Sequence, residues 1–231
     1  ILILSAIAAV ILASASQFLK NRIELNMEKD VMKNILTAFE LSQKPECAKD
    51  ILSCYKKYVK SYVVDANGKK ATSKIDHKKI DITREITKKK QDQRFPVFVK
   101  MKDNKIYAYC FPIIGKGLWS TLYGYVALEK DINTILGITF YKHAETPGLG
   151  AEIEKDWFRK NFKGKQIYDA KGKLVSIKVI KGQVTDKTED KIHKVDGISG
   201  ATITADGVTK LLKKSLSLYK PYFKYLKEER K

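Results

Sequence analysis

Three stretches of this chain combine small residues with groups able to hold or react with a ligand. The first is Asp196-Gly197-Ile198-Ser199-Gly200-Ala201-Thr202-Ile203-Thr204, immediately before an amphipathic stretch. Its small residues leave the Thr202 hydroxyl approachable. A helix starting there would offer backbone N–H groups and positive potential to a phosphate on that hydroxyl. The plain alternative is a Gly-rich turn in which Thr204 caps the helix and Asp206 complements its dipole.

The second stretch, His143-Ala144-Glu145-Thr146-Pro147-Gly148-Leu149-Gly150, places Pro147 and Gly148 at the centre of a type II turn. As chemistry, its glycines let backbone approach a planar ring, Leu149 packs on that ring, and Glu145 and Thr146 bond its polar edge. As structure, it is a tight reversal. His143 lacks a second nearby His and makes a poor metal site. The third stretch, Gly115-Lys116-Gly117-Leu118-Trp119-Ser120-Thr121-Leu122-Tyr123-Gly124-Tyr125, carries Trp119 either as a core residue or as a stacking surface.

These segments need a scaffold. Tyr62 to Val64 runs into the turn signal Asp65-Ala66-Asn67-Gly68, and Val97 to Met101 meets Ile106 to Phe111 across Asp103-Asn104, two hairpin signatures. Further β-rich runs are predicted at Tyr123 to Leu128, Leu136 to Tyr141 and Leu174 to Ile180. Helices are predicted near Glu152 to Phe162 and Ala205 to Tyr219, the latter ending at Pro221. The pattern is α+β, with a mixed or antiparallel sheet and flanking helices. The polar, Lys-rich Asp65 to Gln93 stretch reads as an exposed loop.

Ile1 to Leu19 is uncharged and apolar, a transmembrane candidate with a signal peptide as the weaker alternative. Asn21 to Leu41 carries Ile23, Met27, Val31, Ile35 and Phe39 at i+4 steps, a stripe for docking on the body. The chain divides into an anchor at 1–20, a helical connector at 21–44 and a mixed α/β part at 45–112. A core at 113–220 and a basic tail at 221–231 complete it.

Lys and Arg number 45 against 26 Asp and Glu, a net +19 that favours anionic partners. The lysines are dispersed and Arg is sparse, so nucleic acid is not expected as a partner. Cys47, Cys54 and Cys110 lack metal-binding spacing. A Cys47–Cys54 disulfide and free thiols both remain open readings. With no nucleophile–base pair in view, no catalytic residue is assigned, and His77 and His193 are read as solvated or structural.

Together, GLWSTLYGYVALEKDINTILGITFYKHAETPGLGAEI and DGISGATITADGV resemble the C subunit family of the Na+-translocating NADH:quinone oxidoreductase. More broadly they resemble the FMN-binding domain shared with the G subunit of Rnf complexes. The resemblance implies a single FMN-binding domain behind one transmembrane helix. FMN would be esterified to Thr202 by a dedicated flavin transferase that reads Asp196, Ser199, Gly200, Ala201 and Thr202, with Thr204 the less favoured site. Glu145, Thr146, Gly148, Leu149, Leu118 and Trp119 would line the isoalloxazine ring. The implied setting is the bacterial inner membrane, with the domain facing the periplasm in contact with lipid. The partners are other membrane and redox subunits, including a second flavin subunit, in a relay of electrons from NADH toward quinone coupled to Na+ transport. An Rnf-type carrier and, from another class, a membrane-tethered polyanion-binding module are the alternatives.

Overall fold

The computed structural model describes residues 2–71 and 80–229. Five strands form one antiparallel sheet in sequential order: β1 (Val59–Asp65), β2 (Arg94–Lys102), β3 (Lys105–Lys116), β4 (Thr121–Glu129) and β5 (Ile135–Lys142). Local turn chemistry sets the register. Asp103 and Asn104 both adopt positive φ, 50° and 58°, so β2 and β3 are joined by a two-residue turn that matches strand twist. The Asp65 carboxylate accepts the amides of Asn67 and Lys69 at 2.9 Å, closing the turn after β1.

Alternation along the strands gives the sheet two apolar faces, and each is covered by helices. On one face Phe111, Ile113, Val126 and Phe140 pack with α6 (Thr202–Leu218) and α7 (Lys220–Glu228). On the other, Phe98, Cys110, Tyr125 and Ala127 meet the end of α1 (Leu2–Ala38), α2 (Pro45–Lys49) and α3 (Ile51–Tyr58). A disulfide joins Cys47 of α2 to Cys54 of α3, while Cys110 is a buried free thiol.

Several expectations are corrected. Anchor and connector form one continuous helix to Ala38 whose end docks on the body, as the helical character of 21–41 implies, but the i+4 stripe does not dock along its whole length. Ile23 and Met27 are 50% and 62% exposed, and burial begins at Met32, Ile35 and Leu36. At 100° per residue, sixteen residues of an i+4 series rotate by about 160°, so Ile23 and Phe39 lie on nearly opposite sides of the helix.

The division at 112/113 falls inside β3, whose sheet runs through both parts. The predicted 174–180 strand shrinks to β6 (Lys178–Val179), because Ser176 takes φ 67° and breaks the extended run. The predicted 152–162 helix is a 3₁₀ turn, Gly150–Glu154, and a short α5 (Asp156–Lys160), separated by extended Lys155. The 205–219 helix does end before Pro221, α6 stopping at Leu218, but Pro221 also sits in the first turn of α7, where its missing N–H costs nothing. The supposed basic tail thereby becomes a packed helix, with Tyr222, Phe223 and Leu226 buried.

The 65–93 stretch is not wholly a loop. It contains α4 (Ile82–Glu85), and the buried Glu85 accepts Arg94 N–H at 2.9 Å and pairs with Lys88. Residues 72–79, including His77, lie outside the described residues.

Candidate functional site

The three glycine-rich stretches converge on Glu145, which is only 5% exposed. Gly117 N–H donates to Ser120 C=O at 2.8 Å, so Leu118 and Trp119 form the tip of the β3–β4 hairpin. The tip's amides turn inward. Glu145 Oε1 accepts Trp119 N–H at 3.0 Å and Ser120 N–H at 3.2 Å, and Oε2 accepts Leu118 N–H at 3.1 Å. The fourth donor is the Thr204 hydroxyl, 2.5 Å from Oε2, on the first turn of α6.

Burial by itself would push the Glu145 carboxyl up. The hydrogen bonds from Thr204 and the three amides outweigh it and hold the group below the usual glutamate range. Close approach requires the small residues. A Cβ on Gly117 would fall 2.6 Å from Glu145 Oε1, and one on Gly150 the same distance from Thr204 Oγ1.

Beyond Glu145 the chain makes the expected Thr146-Pro147-Gly148-Leu149 turn, with Gly148 at φ 73° and Leu149 N–H donating to Thr146 C=O at 3.1 Å. The turn brings Leu149 against the motif, since a Cβ on Gly200 would sit 2.8 Å from Leu149 Cδ2. Gly200 itself has φ 73°, which swings the chain from the Asp196 segment into α6. Asp196 Oδ1 accepts Val184 N–H at 2.7 Å, and Gly197 N–H donates to Gly182 C=O at 2.8 Å, fixing that turn to the neighbouring 180–184 segment.

Helix α6 begins at Thr202, with Ala201 as N-cap and no side-chain cap. Its first in-register bond is Ala205 N–H to Ala201 C=O at 3.0 Å, so the amides of Thr202 to Thr204 have no acceptor within the helix. Thr202 is exposed, and its hydroxyl makes no hydrogen bond among the described residues. Exposed apolar side chains lie on each of the elements that meet at Glu145 and Gly200: Leu118 and Trp119 on the hairpin tip, Leu149 on the turn against Gly200, and Ile203 next to Thr202 on α6. Thr202 also borders a cavity of about 660 Å³, together with Gly182, Gly197, Ser199 and Asp206.

The geometry sorts the expected residues. Thr202, Ser199 and Gly200 are open to solvent, and Ala201 is buried beneath them. Thr204 is neither the helix cap nor an available hydroxyl, because it is buried and committed to Glu145. Glu145 does not offer its carboxylate to a ring, since both oxygens are occupied by protein donors. It shapes the site from below. Thr146 and Gly148 are exposed beside Leu149. Trp119 is 70% exposed, so it is not a core residue.

His143 Nδ1 accepts Glu145 N–H at 3.2 Å and its Nε2 lies 3.3 Å from Glu154 Oε2, a structural role. His193 Nδ1 lies 2.6 Å from Gln166 O. Two contributors escaped sequence reasoning. Ile203 is 60% exposed at the mouth, and Ser120 Oγ accepts Ala144 N–H at 2.7 Å. An Ile directly after an approachable Thr was the available signal for the first. The second had none.

An accessible hydroxyl at a helix N-terminus, beside an open apolar surface and a polar cavity, suits a phosphorylated aromatic cofactor such as FMN. Residues 117–217 match the family of FMN-binding domains. The chain is 32% identical over 227 residues to the C subunit of the Na(+)-translocating NADH-quinone reductase of Pseudomonas aeruginosa, covering 91% of this chain and 87% of that one. Over 110 residues it is 47% identical to the corresponding protein of Neisseria meningitidis, 48% of this chain and 41% of that protein.

The crystal structure of the same protein from Parabacteroides distasonis superposes with TM-score 0.75 at 34% identity, covering 89% of this chain and 96% of that one. The structure of Shewanella oneidensis NqrC gives 0.71 at 31% identity, covering 87% and 99%. The chain therefore belongs to the family of C subunits of the Na+-translocating NADH:quinone reductase.

Proposed function

We propose that this chain carries FMN as a phosphoester on Thr202 and relays electrons within a membrane-bound Na+-translocating NADH:quinone reductase, in the direction of quinone. The observation that carries this reading is the Thr202 hydroxyl, exposed and unpartnered among the described residues at the first position of α6, beside the open surface of Leu118, Trp119, Leu149 and Ile203.

When bound, the flavin supplies the electron chemistry by accepting and releasing electrons. The chain's own residues do the rest. Thr202 tethers the phosphate and the first-turn amides of α6 face its charge. Leu118, Trp119, Leu149 and Ile203 offer the apolar wall against which a ring stacks, with the exposed Thr146 and Gly148 at its edge. Glu145 holds hairpin, turn and helix in register. Esterification needs no base from this chain, because a flavin transferase reading Asp196 and Ser199 to Thr202 would activate the hydroxyl.

The apolar helix α1 acts as the anchor, its Leu2 to Leu19 part in the inner membrane among lipid, with the domain on the periplasmic side. Partner subunits, a second flavin subunit among them, deliver and remove electrons. The experiment is a mass measurement of the full chain purified from cells containing the transferase. Under this reading the intact mass exceeds that of the polypeptide by FMN less water, and the denatured band fluoresces. A colourless chain of unmodified mass would refute the reading.

A further inference from the structure

The wall of the 660 Å³ cavity beside Thr202 carries charges that the site has not yet used. Lys178 and Lys181 both line it, together with Gly200, Thr202 and a single carboxylate, Asp206. Both lysines are exposed, and neither ammonium has an ion pair or hydrogen bond among the described residues. Some other lysines do: Lys163 pairs with Glu40 at 2.9 Å and Lys191 with Asp186 at 2.8 Å.

The backbone that carries the lysines is held tightly against the Thr202 motif. Ile180 N–H donates to Val195 C=O at 3.0 Å, and Val179 N–H donates to the Thr209 hydroxyl at 3.0 Å. Gly197 lies so close that a Cβ there would fall 2.1 Å from Ile180 O. Lys178 and Lys181 thus flank a segment held by hydrogen bonds, not a free loop, and they border the same cavity as Thr202.

We infer that Lys178 and Lys181 are the positioning residues for the phosphate and ribityl arm of the Thr202-linked flavin, an inference that rests on the reading of Thr202 as the attachment site. The chemistry divides the cofactor in two. A phosphodiester keeps one negative charge, and a ribityl chain is polar, so both belong against the lysine-bearing cavity. The ring is flat and largely apolar, so it belongs on the Leu118, Trp119, Leu149 and Ile203 surface. A volume of about 660 Å³ lies within the usual range for small-ligand sites, roughly 300–1,000 Å³. Two ammonium groups against one carboxylate leave the wall net positive before the α6 N-terminus is counted, and Asp206 opposes the anion.

The assignment separates from a role at the ring by what it leaves unchanged. Charge placed at the phosphate acts equally on oxidised and reduced flavin, whereas charge at the ring favours the reduced, more negative form.

The test uses the full chain, matured by flavin transferase, as wild type, as Lys178→Ala/Lys181→Ala and as Asp206→Asn. Fluorescence anisotropy of the attached flavin, its salt dependence and its midpoint potential are measured. The expected result is flavin present on the double variant, with anisotropy lowered toward that of a free tether, its salt response lost and its potential unchanged. Asp206→Asn should hold the flavin to higher salt than wild type. A flavinylated double variant with wild-type anisotropy and salt response would overturn this inference alone. So would a marked fall in potential, which would place the lysines at the ring. A wild-type chain without flavin would instead overturn the proposed function, and this inference with it.

Discussion

The Glu145 carboxylate accepts the Thr204 hydroxyl at 2.5 Å across a separation of 59 residues, and with its other bonds ties the β3–β4 hairpin tip to the first turn of α6. Replacing Glu145 by Gln keeps the volume but removes the charge and points an N–H₂ at inward-facing donors. The cost should be about 2 kcal/mol, as expected for disturbing a buried, charge-assisted set of hydrogen bonds. Thermal melting of Glu145→Gln should show it, with flavin loading reduced as Leu118 and Trp119 lose their fixed position. The pH dependence has a definite sign. A carboxyl held below its ordinary range in the fold stabilises above the unfolded value, about 4.3, and that contribution is lost as pH falls through the depressed folded value. Melts recorded from neutral pH into this acid window should converge for wild type and Glu145→Gln.

Gly200 combines φ 73° with a Cβ position 2.8 Å from Leu149 Cδ2. Gly200→Ala should therefore cost roughly 1–2 kcal/mol of backbone strain and displace Leu149 as well. The check is chemical denaturation alongside the fraction of chain that carries flavin, and both should fall.

Trp119 projects from a hairpin tip into solvent, so Trp119→Ala should change stability by no more than about 0.5 kcal/mol. The flavin should remain attached, with brighter fluorescence once the stacked indole is gone. Unchanged flavin fluorescence would remove Trp119 from the ring's surroundings.

The Cys47–Cys54 bridge closes a short loop between α2 and α3, on the sheet face opposite the Thr202 site. Cys47→Ser/Cys54→Ser should lower stability by roughly 2.5 kcal/mol from loop-closure entropy. Flavin content and potential should stay as in wild type, which spectroscopy of the two proteins can compare directly.

What could be read from the sequence was what short-range chemistry decides. The Asp103-Asn104 and Thr146-Pro147-Gly148-Leu149 turns form as expected because their φ requirements are met by the residues themselves. The Thr202 segment stands open because its neighbours are small. The misreadings arose where distant chain decides. Glu145 looks like a ligand-binding acid until the hairpin tip and Thr204 arrive from 27 and 59 residues away to occupy it. Trp119 looks like core until Gly117 and Ser120 pair and leave it at a tip. Pro221 carries both a stop and a start signal and both are realised, α6 ending at Leu218 and α7 starting at Lys220; the start depends on the burial of Tyr222 and Phe223 against the sheet.

The central claim concerns one oxygen atom, Thr202 Oγ. Peptide mapping by mass spectrometry of the matured full chain, beside Thr202→Ala and Thr204→Ala, addresses it most directly. The account predicts FMN less water on the peptide containing Thr202 in wild type, its complete loss in Thr202→Ala, and its retention at Thr202 in Thr204→Ala. Flavin still covalently bound to Thr202→Ala, or a wild-type peptide of unmodified mass, would contradict it.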